Sequence, residues 1–285
     1  TMKHKVLLPT DFSANAWNAI KYALELYKNK ACDFYILNAF SVPTYLFDNL
    51  LVPEPGEEKY ETAKQESESQ IAKLLDKITL QGLKKPKHNF FAISVYNSPL
   101  EAIKNTIEEK DIEIVIMGTK GQTNSRSIVY GSNAIYVMEK SRNCPVVVVP
   151  QDVLNIAPKE IVFPTSYKTH FKRRELNCLI ELAKDNKASV RFLHVAIEEK
   201  LSQKQIDNKK LLEEYFEGID FSFHTLSNTD LSLAINCFVE SRGSDMVAFI
   251  NKKHAFFGSV LTQPLVKEIT FFSKKPILVM HDLRN

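Results

Sequence analysis

A chain of 285 residues with 44% hydrophobic and 25% charged residues is composed like an ordinary globular protein, which excludes the disordered, fibrous and membrane-embedded classes. Its length fits two ordinary domains better than one large one. Thirty-seven Lys+Arg against 34 Asp+Glu leave a formal charge of +3, too weak a field to draw nucleic acid or an anionic membrane.

The short basic runs, Lys84-Lys85 with Lys87 and Lys172-Arg173-Arg174, fall at turns or helix surfaces and read as solvated. Cys32, Cys144, Cys178 and Cys237 show no C-x-x-C and no paired Cys/His spacing, so they read as reduced, half-buried thiols rather than disulfides or a zinc site. The seven histidines are equally dispersed, and His194 on an apolar strand reads as a core residue. No apolar run approaches the length of a membrane span and no leader pattern opens the chain, so a cytoplasmic location is expected.

Short β-rich runs alternate with stretches of helical periodicity, which predicts βαβ units and a parallel sheet. Lys5 to Pro9 is the first strand. Ser13 is a plausible N-cap, and Ala16, Ile20, Ala23, Leu24 and Tyr27 fall on one helical face. A strand at Phe34–Phe40, a proline-containing loop from Val42 to Gly56 and an amphipathic helix from Glu57 to Leu80 follow, the helix with Ile71, Leu74, Leu75 and Ile78 inward. Asn89–Val95 is a third strand, and Ser98-Pro99 starts a helix that buries Leu100, Ile103 and Ile107. Ile112–Met117 is a continuous apolar run, as expected of a strand covered on both faces. A glycine-containing loop, a helix from Ser132 to Ser141 and an apolar strand within Pro145–Pro150 complete the first half.

The pattern then starts again. Ile161-Val162-Phe163-Pro164-Thr165 echoes Val6-Leu7-Leu8-Pro9-Thr10, Val190–Ala196 echoes the second strand, and Phe221–His224 the third. Asp245–Ile250 resembles the run before Gly118, and Lys275–Met280 matches Cys144–Val149. Residues 1–150 and 159–285 are expected to be two domains joined by a linker at 151–158. The two apolar last strands, Val146–Val149 and Ile277–Met280, are expected to pair as exposed edges, giving an intramolecular pseudo-dimer.

The loop after the fourth strand reads Gly118-Thr119-Lys120-Gly121, then nine residues, then Gly131-Ser132 at a helix start. Glycines allow sharp turns and close backbone approach, and a helix amino end offers unpaired N–H groups to an anion, a combination suited to phosphates. Pro9-Thr10-Asp11 ends the first strand. In an open sheet of order 3-2-1-4-5, strands one and four flank the switch point where ligands bind, so Asp11 and the Gly118 loop are expected to face each other.

Both halves resemble the universal stress protein family, whose ATP-binding members share G-x2-G-x9-G-(S/T). Gly118, Gly121, Gly131 and Ser132 match that spacing without a gap, and Asp11 matches the aspartate ending the family's first strand. The resemblance covers almost the whole chain. It implies two tandem Rossmann-like α/β domains of the adenine nucleotide alpha hydrolase type, each a five-stranded parallel sheet of order 3-2-1-4-5 with helices on both faces. It implies a nucleotide-responsive regulator or stress-tolerance factor binding ATP, with or without Mg²⁺. Asp11, with Pro9 and Thr10, would contact the ribose. Ala39 and Met117 would lie by the adenine, although both fit equally well as core residues. Gly118, Lys120, Gly121, Gly131, Ser132 and Asn133 would surround the phosphates.

The second half departs from the motif. Ser166 stands for Asp11, and Ile250-Asn251-Lys252-Lys253 for Gly118–Gly121. Thr262 falls opposite Gly131, with Gly258-Ser259 nearby. One ATP site, in the first half, is therefore expected. Two other readings stay open: a slow ATPase or nucleotidyl-transfer enzyme, with Lys120 or Ser132 polarising a phosphate, and a ligand-free interaction scaffold. Against the enzyme, the sequence has no P-loop, no carboxylate pair for Mg²⁺ and no G-x-S-x-G turn. Whether two chains form a homodimer is not readable from these residues.

Overall fold

The computed structural model describes residues 3–42, 54–121, 130–141, 144–196, 200–227, 230–251 and 274–281. The first half runs β1 (His4–Pro9), α1 (Ala14–Leu26), β2 (Cys32–Phe40), α2 (Glu58–Leu80), β3 (His88–Tyr96), α3 (Pro99–Lys110), β4 (Ile114–Gly118), α4 (Ser132–Lys140) and β5 (Val146–Val149). It is followed by β6 (Glu160–Pro164), α5 (Arg173–Asn186), β7 (Ser189–Ala196), α6 (Gln203–Tyr215), β8 (Phe221–Ser227), α7 (Leu231–Arg242), β9 (Met246–Asn251) and β10 (Ile277–His281).

The strands form one sheet in the order β3-β2-β1-β4-β5-β10-β9-β6-β7-β8. All neighbours are parallel except at the centre, where β5 and β10 run antiparallel, with Val148 opposite Ile277 and Val146 opposite Val279. Each set of five therefore keeps the order 3-2-1-4-5, and the central strands are buried along their whole length.

Strand alternation sorts the core into two layers. Val6, Leu8, Val147 and Val149 pack with α1, α2, α5 and α6, around Ile20, Ile71, Leu179 and Leu212. Leu7, Val146 and Val148 pack on the other face with α3, α4 and α7, around Ile103, Val137 and Val239. This is why the strands read as uninterrupted apolar runs while the helices read as one-sided. Of the helix positions expected to be buried, Leu75, Leu100 and Ile107 are only partly so, at the margin of these layers. The helix starts follow local chemistry: Ser13 Oγ accepts the Ala16 N–H at 3.2 Å, and Ser98 Oγ accepts that of Glu101 at 3.4 Å, with Pro99 in the first turn. No described helix is long and apolar enough to cross a membrane.

Candidate functional site

At the end of β1 the Thr10 N–H donates to Leu37 O at 2.8 Å, fixing the strand end against β2. The chain then turns tightly: the Phe12 N–H donates to Thr10 Oγ1 at 3.0 Å and the Ser13 N–H to Asp11 Oδ1 at 3.1 Å. Phe12 has φ 63°, a left-handed conformation that is strained for a bulky side chain. Two side-chain acceptors hold that strain and fix Asp11 between them.

Opposite, Gly118 ends β4 and the Thr119 N–H donates to Val149 O at 3.2 Å. Asn15, on the first turn of α1 and only 3% exposed, organises this loop. Its Oδ1 accepts the Lys120 N–H at 2.8 Å and the Thr119 hydroxyl at 3.1 Å, and its Nδ2 donates to Val149 O at 3.0 Å. The Gly131 N–H donates to Thr119 O at 2.7 Å, which brings the amino end of α4 back to the loop. The N-cap of α4 is Gly131 itself, with no side-chain cap, a feature it shares with α2, whereas α1, α3, α6 and α7 are capped by Ser13, Ser98, Ser202 and Asp230. The N–H groups of Ser132, Asn133 and Ala134 therefore have no intrahelical carbonyl to meet, and the N-cap residue has no side chain to stand in for one.

Packing, not unusual dihedrals, requires Gly118 and Gly121, and none of the three motif glycines is among the described glycines with positive φ. A β-carbon on Gly118 would stand 2.8 Å from Asn15 Cγ and 3.1 Å from the Asn15 backbone carbon, and one on Gly121 would stand 2.7 Å from Asp11 Oδ2. At Gly131 it would meet nothing nearer than Thr119 O at 3.6 Å, an ordinary contact. At Gly118 and Gly121 the close approach is to other parts of this chain, of α1 to β4 and of the loop to Asp11.

Between these elements lies a cavity of about 180 Å³ at the carboxyl ends of β1, β2 and β4. All the site residues expected from the sequence line it: Pro9, Thr10, Asp11, Ala39, Met117, Gly118, Lys120, Gly121, Gly131, Ser132 and Asn133. Leu37, Pro99 and Ile103 add an apolar wall that sequence reasoning missed, since two of them come from a helix distant in the chain. Asp11 and Lys120 are the charged side chains of the lining. Asn38, also in the wall, is engaged elsewhere: its Nδ2 donates to Thr10 O at 2.7 Å and its Oδ1 accepts the Ser67 hydroxyl at 2.8 Å. Beside the site Tyr130 is buried with no hydrogen-bond partner for its hydroxyl among the described residues, and burial raises its pKa far above the usual phenol range.

The turn after β6 repeats the turn after β1 bond for bond. The Thr165 N–H donates to Leu193 O at 2.8 Å, the Tyr167 N–H to Thr165 Oγ1 at 3.1 Å and the Lys168 N–H to Ser166 Oγ at 3.3 Å, with Tyr167 at φ 56°. Ser166 keeps the turn that Asp11 makes but brings no carboxylate. His194 takes the place of Asn38, with Nδ1 3.0 Å from Thr165 O and its ring 5.0 Å from that of Tyr167, a core role as expected. Pairing of Val6 with Ile114 and of Ile161 with Met246 sets Ile250 at the position of Gly118 and Phe249 at that of Met117. Lys252, Lys253, Gly258, Ser259 and Thr262 lie outside the described residues.

A larger cleft, of about 420 Å³, opens at the amino ends of β1, β4 and β5 against α5. Two of its carboxylates are already matched: Glu113 with His4 at 2.9 Å, Asp185 with Lys30 at 2.5 Å. Burial pushes the Cys178 thiol up to about 12 and that of Cys144 well above the usual range, so neither is a ready nucleophile. All four cysteines are free, and no group of three metal-ligating side chains occurs among the described residues.

Residues 2–150 match the model of the universal stress protein family. The chain belongs to that family. This universal stress protein is 29% identical over 152 residues to universal stress protein MJ0531 of Methanocaldococcus jannaschii, covering 51% of this chain and 81% of the relative. It is 30% identical over 158 residues to MJ0577 of the same organism, covering 52% and 95%. A solved universal stress protein of Archaeoglobus fulgidus shares the fold with a TM-score of 0.68 at 18% identity, over 96% of this chain and 95% of that one. A solved universal stress protein of Pseudomonas aeruginosa does so with a TM-score of 0.62 at 10% identity, over 98% and 93%.

Proposed function

We propose that this universal stress protein is a nucleotide-responsive regulator that binds one ATP per chain, between Asp11 on one side and Gly118, Lys120, Gly121, Gly131, Ser132 and Asn133 on the other, in the first half. The observation that carries this reading is the amino end of α4, without a side-chain cap, lining the same pocket as Asp11. Phosphates would meet the N–H groups of Ser132 and Asn133 and the Lys120 side chain. The helix end alone contributes about 0.3–1 kcal/mol, and up to about 2 kcal/mol where partly buried. Asp11 would accept ribose hydroxyls, and the apolar wall of Leu37, Ala39, Ile103 and Met117 would cover the base. Asp11 is the one carboxylate among the described residues of the lining, so any Mg²⁺ would be held by the phosphates and water rather than by a protein carboxylate pair.

On the same reading, residues 1–150 and 159–285 are two domains joined by 151–158, and the second is the fold without the ligand. Calorimetric titration of ATP tests the assignment. Asp11→Ala removes a charged acceptor worth about 1.5–3 kcal/mol, so affinity is expected to fall on the order of ten- to a hundredfold. Unchanged affinity in that variant, with the fold intact by circular dichroism, would remove the site.

A further inference from the structure

Two buried asparagines lie three residues apart on α1, Asn15 and Asn18, 3% and 7% exposed. Asparagine is a poor helix former, and burying two amides is costly unless each finds partners. Both do, on opposite sides of a single function. Asn15 holds Thr119, Lys120 and Val149 O, as described above. Asn18 Nδ2 donates to Pro150 O at 3.2 Å and Val153 O at 3.0 Å, and its Oδ1 accepts from Asn155 Nδ2 at 3.1 Å. Residues three apart share a helix face, displaced by about 4.5 Å along the axis. One face of one rigid helix therefore grips both the loop after β4 and the segment that leads from β5 to β6.

The two grips are also adjacent through the chain. Val149 O is shared by the Thr119 N–H and Asn15, and the next carbonyl, Pro150 O, is shared by the Val153 N–H and Asn18. A shift of the loop thus pulls on α1 and on the end of β5 together, and both lead to the joining segment. Gly118 tightens the coupling, because its missing β-carbon lets α1 lie in contact with β4.

We propose that Asn15 is a positioning residue for the nucleotide loop and that Asn18 transmits the state of that loop to residues 150–155, which join the two halves. This rests on the nucleotide reading for its signal, but the coupling itself is a property of the chain. Because coupling between two sites is reciprocal, loosening the joining segment must loosen the loop by the same factor.

The experiment is amide hydrogen exchange on the full chain, with and without ATP, for wild type, Asn18→Ala and the milder Asn155→Ala. Thermal unfolding identifies any variant that has lost its fold. Without nucleotide, Asn18→Ala should speed exchange at Thr119 and Lys120 as well as at Val153, and Asn155→Ala should do the same more weakly. With ATP, wild type should gain protection at Val153, and the Asn18→Ala variant should bind ATP about fivefold more weakly, at the low end of ordinary coupling. Faster exchange confined to 150–155, with Thr119 and Lys120 unchanged, would overturn the coupling whether or not ATP binds. Absence of ATP binding to wild type, with the loop and the joining segment still loosening together, would overturn the nucleotide reading and leave the coupling standing.

Discussion

Asp11 Oδ2 occupies the place where a side chain on Gly121 would begin, 2.7 Å from the position of its β-carbon. Gly121→Ala must therefore push the carboxylate out of the site, and a flexible side chain can yield without unfolding the turn. The expected outcome is an ATP affinity lowered about tenfold with little change in melting temperature. Gly131→Ala is expected to leave the fold intact, because its β-carbon would make only contacts of 3.6 Å and beyond. Calorimetry and thermal unfolding of the two variants side by side check both statements.

Gly118→Ala should act on stability first. Its β-carbon would meet not only the Asn15 amide at 2.8 Å but the Asn15 backbone at 3.1 Å, so α1 itself must move. Overpacking of this kind typically costs about 1–3 kcal/mol. Urea unfolding at neutral pH should show a loss in that range. A variant as stable as wild type would mean that α1 is not held as tightly to β4 as these distances imply.

The order of elements, the layers and the switch-point pocket were readable in the sequence because each rests on a local pattern: apolar runs for β4 and β5, one-sided periodicity for α1 and α2, and glycine spacing around α4. What the pattern could not show is how the glycines act. Gly118 and Gly121 read as residues that let the backbone approach a ligand, and they also let it approach Asn15 and Asp11, which lie more than a hundred positions earlier. Asn15 and Asn18 left only a faint signal, two poor helix formers at the start of a one-sided helix. The wall supplied by Pro99 and Ile103 left none, since only the crossover after β3 brings α3 over the carboxyl end of β2.

Acid should unfold the protein partly through Glu160. Arg242 donates to both of its carboxylate oxygens, at 2.8 and 2.7 Å, and Ser244 and Arg191 add bonds of 2.7 and 3.0 Å. These bonds, that of Arg242 foremost, hold its pKa down at about 2 against an ordinary 4.5. A depressed carboxylate pKa means that the unfolded chain takes up the proton first. The stabilisation is therefore fully present above pH 4.5 and is lost as pH falls from there through 2. Glu160→Gln should lower the urea midpoint at pH 7 and narrow its gap to wild type between pH 4.5 and 2. A gap constant across that window would show that the carboxylate charge contributes nothing.

The two halves make the same turn after their first strands, yet only one supplies a carboxylate, and this predicts what restoring the acid achieves. Ser166 already bonds the Lys168 N–H as Asp11 bonds that of Ser13, so Ser166→Asp should fold without strain. It should still not bind ATP in the second half. The buried Ile250 stands where Gly118 allows close approach, and Phe249 replaces Met117 beside the base position. Beside them the Tyr167 ring lies tilted against His194 at 5.0 Å, and Asn208 Nδ2 holds Tyr167 O at 2.7 Å. Titration of Ser166→Asp should give the same single site and the same affinity as wild type, while Asp11→Ala should weaken that site and leave no second one behind. A stoichiometry of two in the Ser166→Asp variant would show that the carboxylate alone had been missing, and that Ile250 and Phe249 do not close the second pocket.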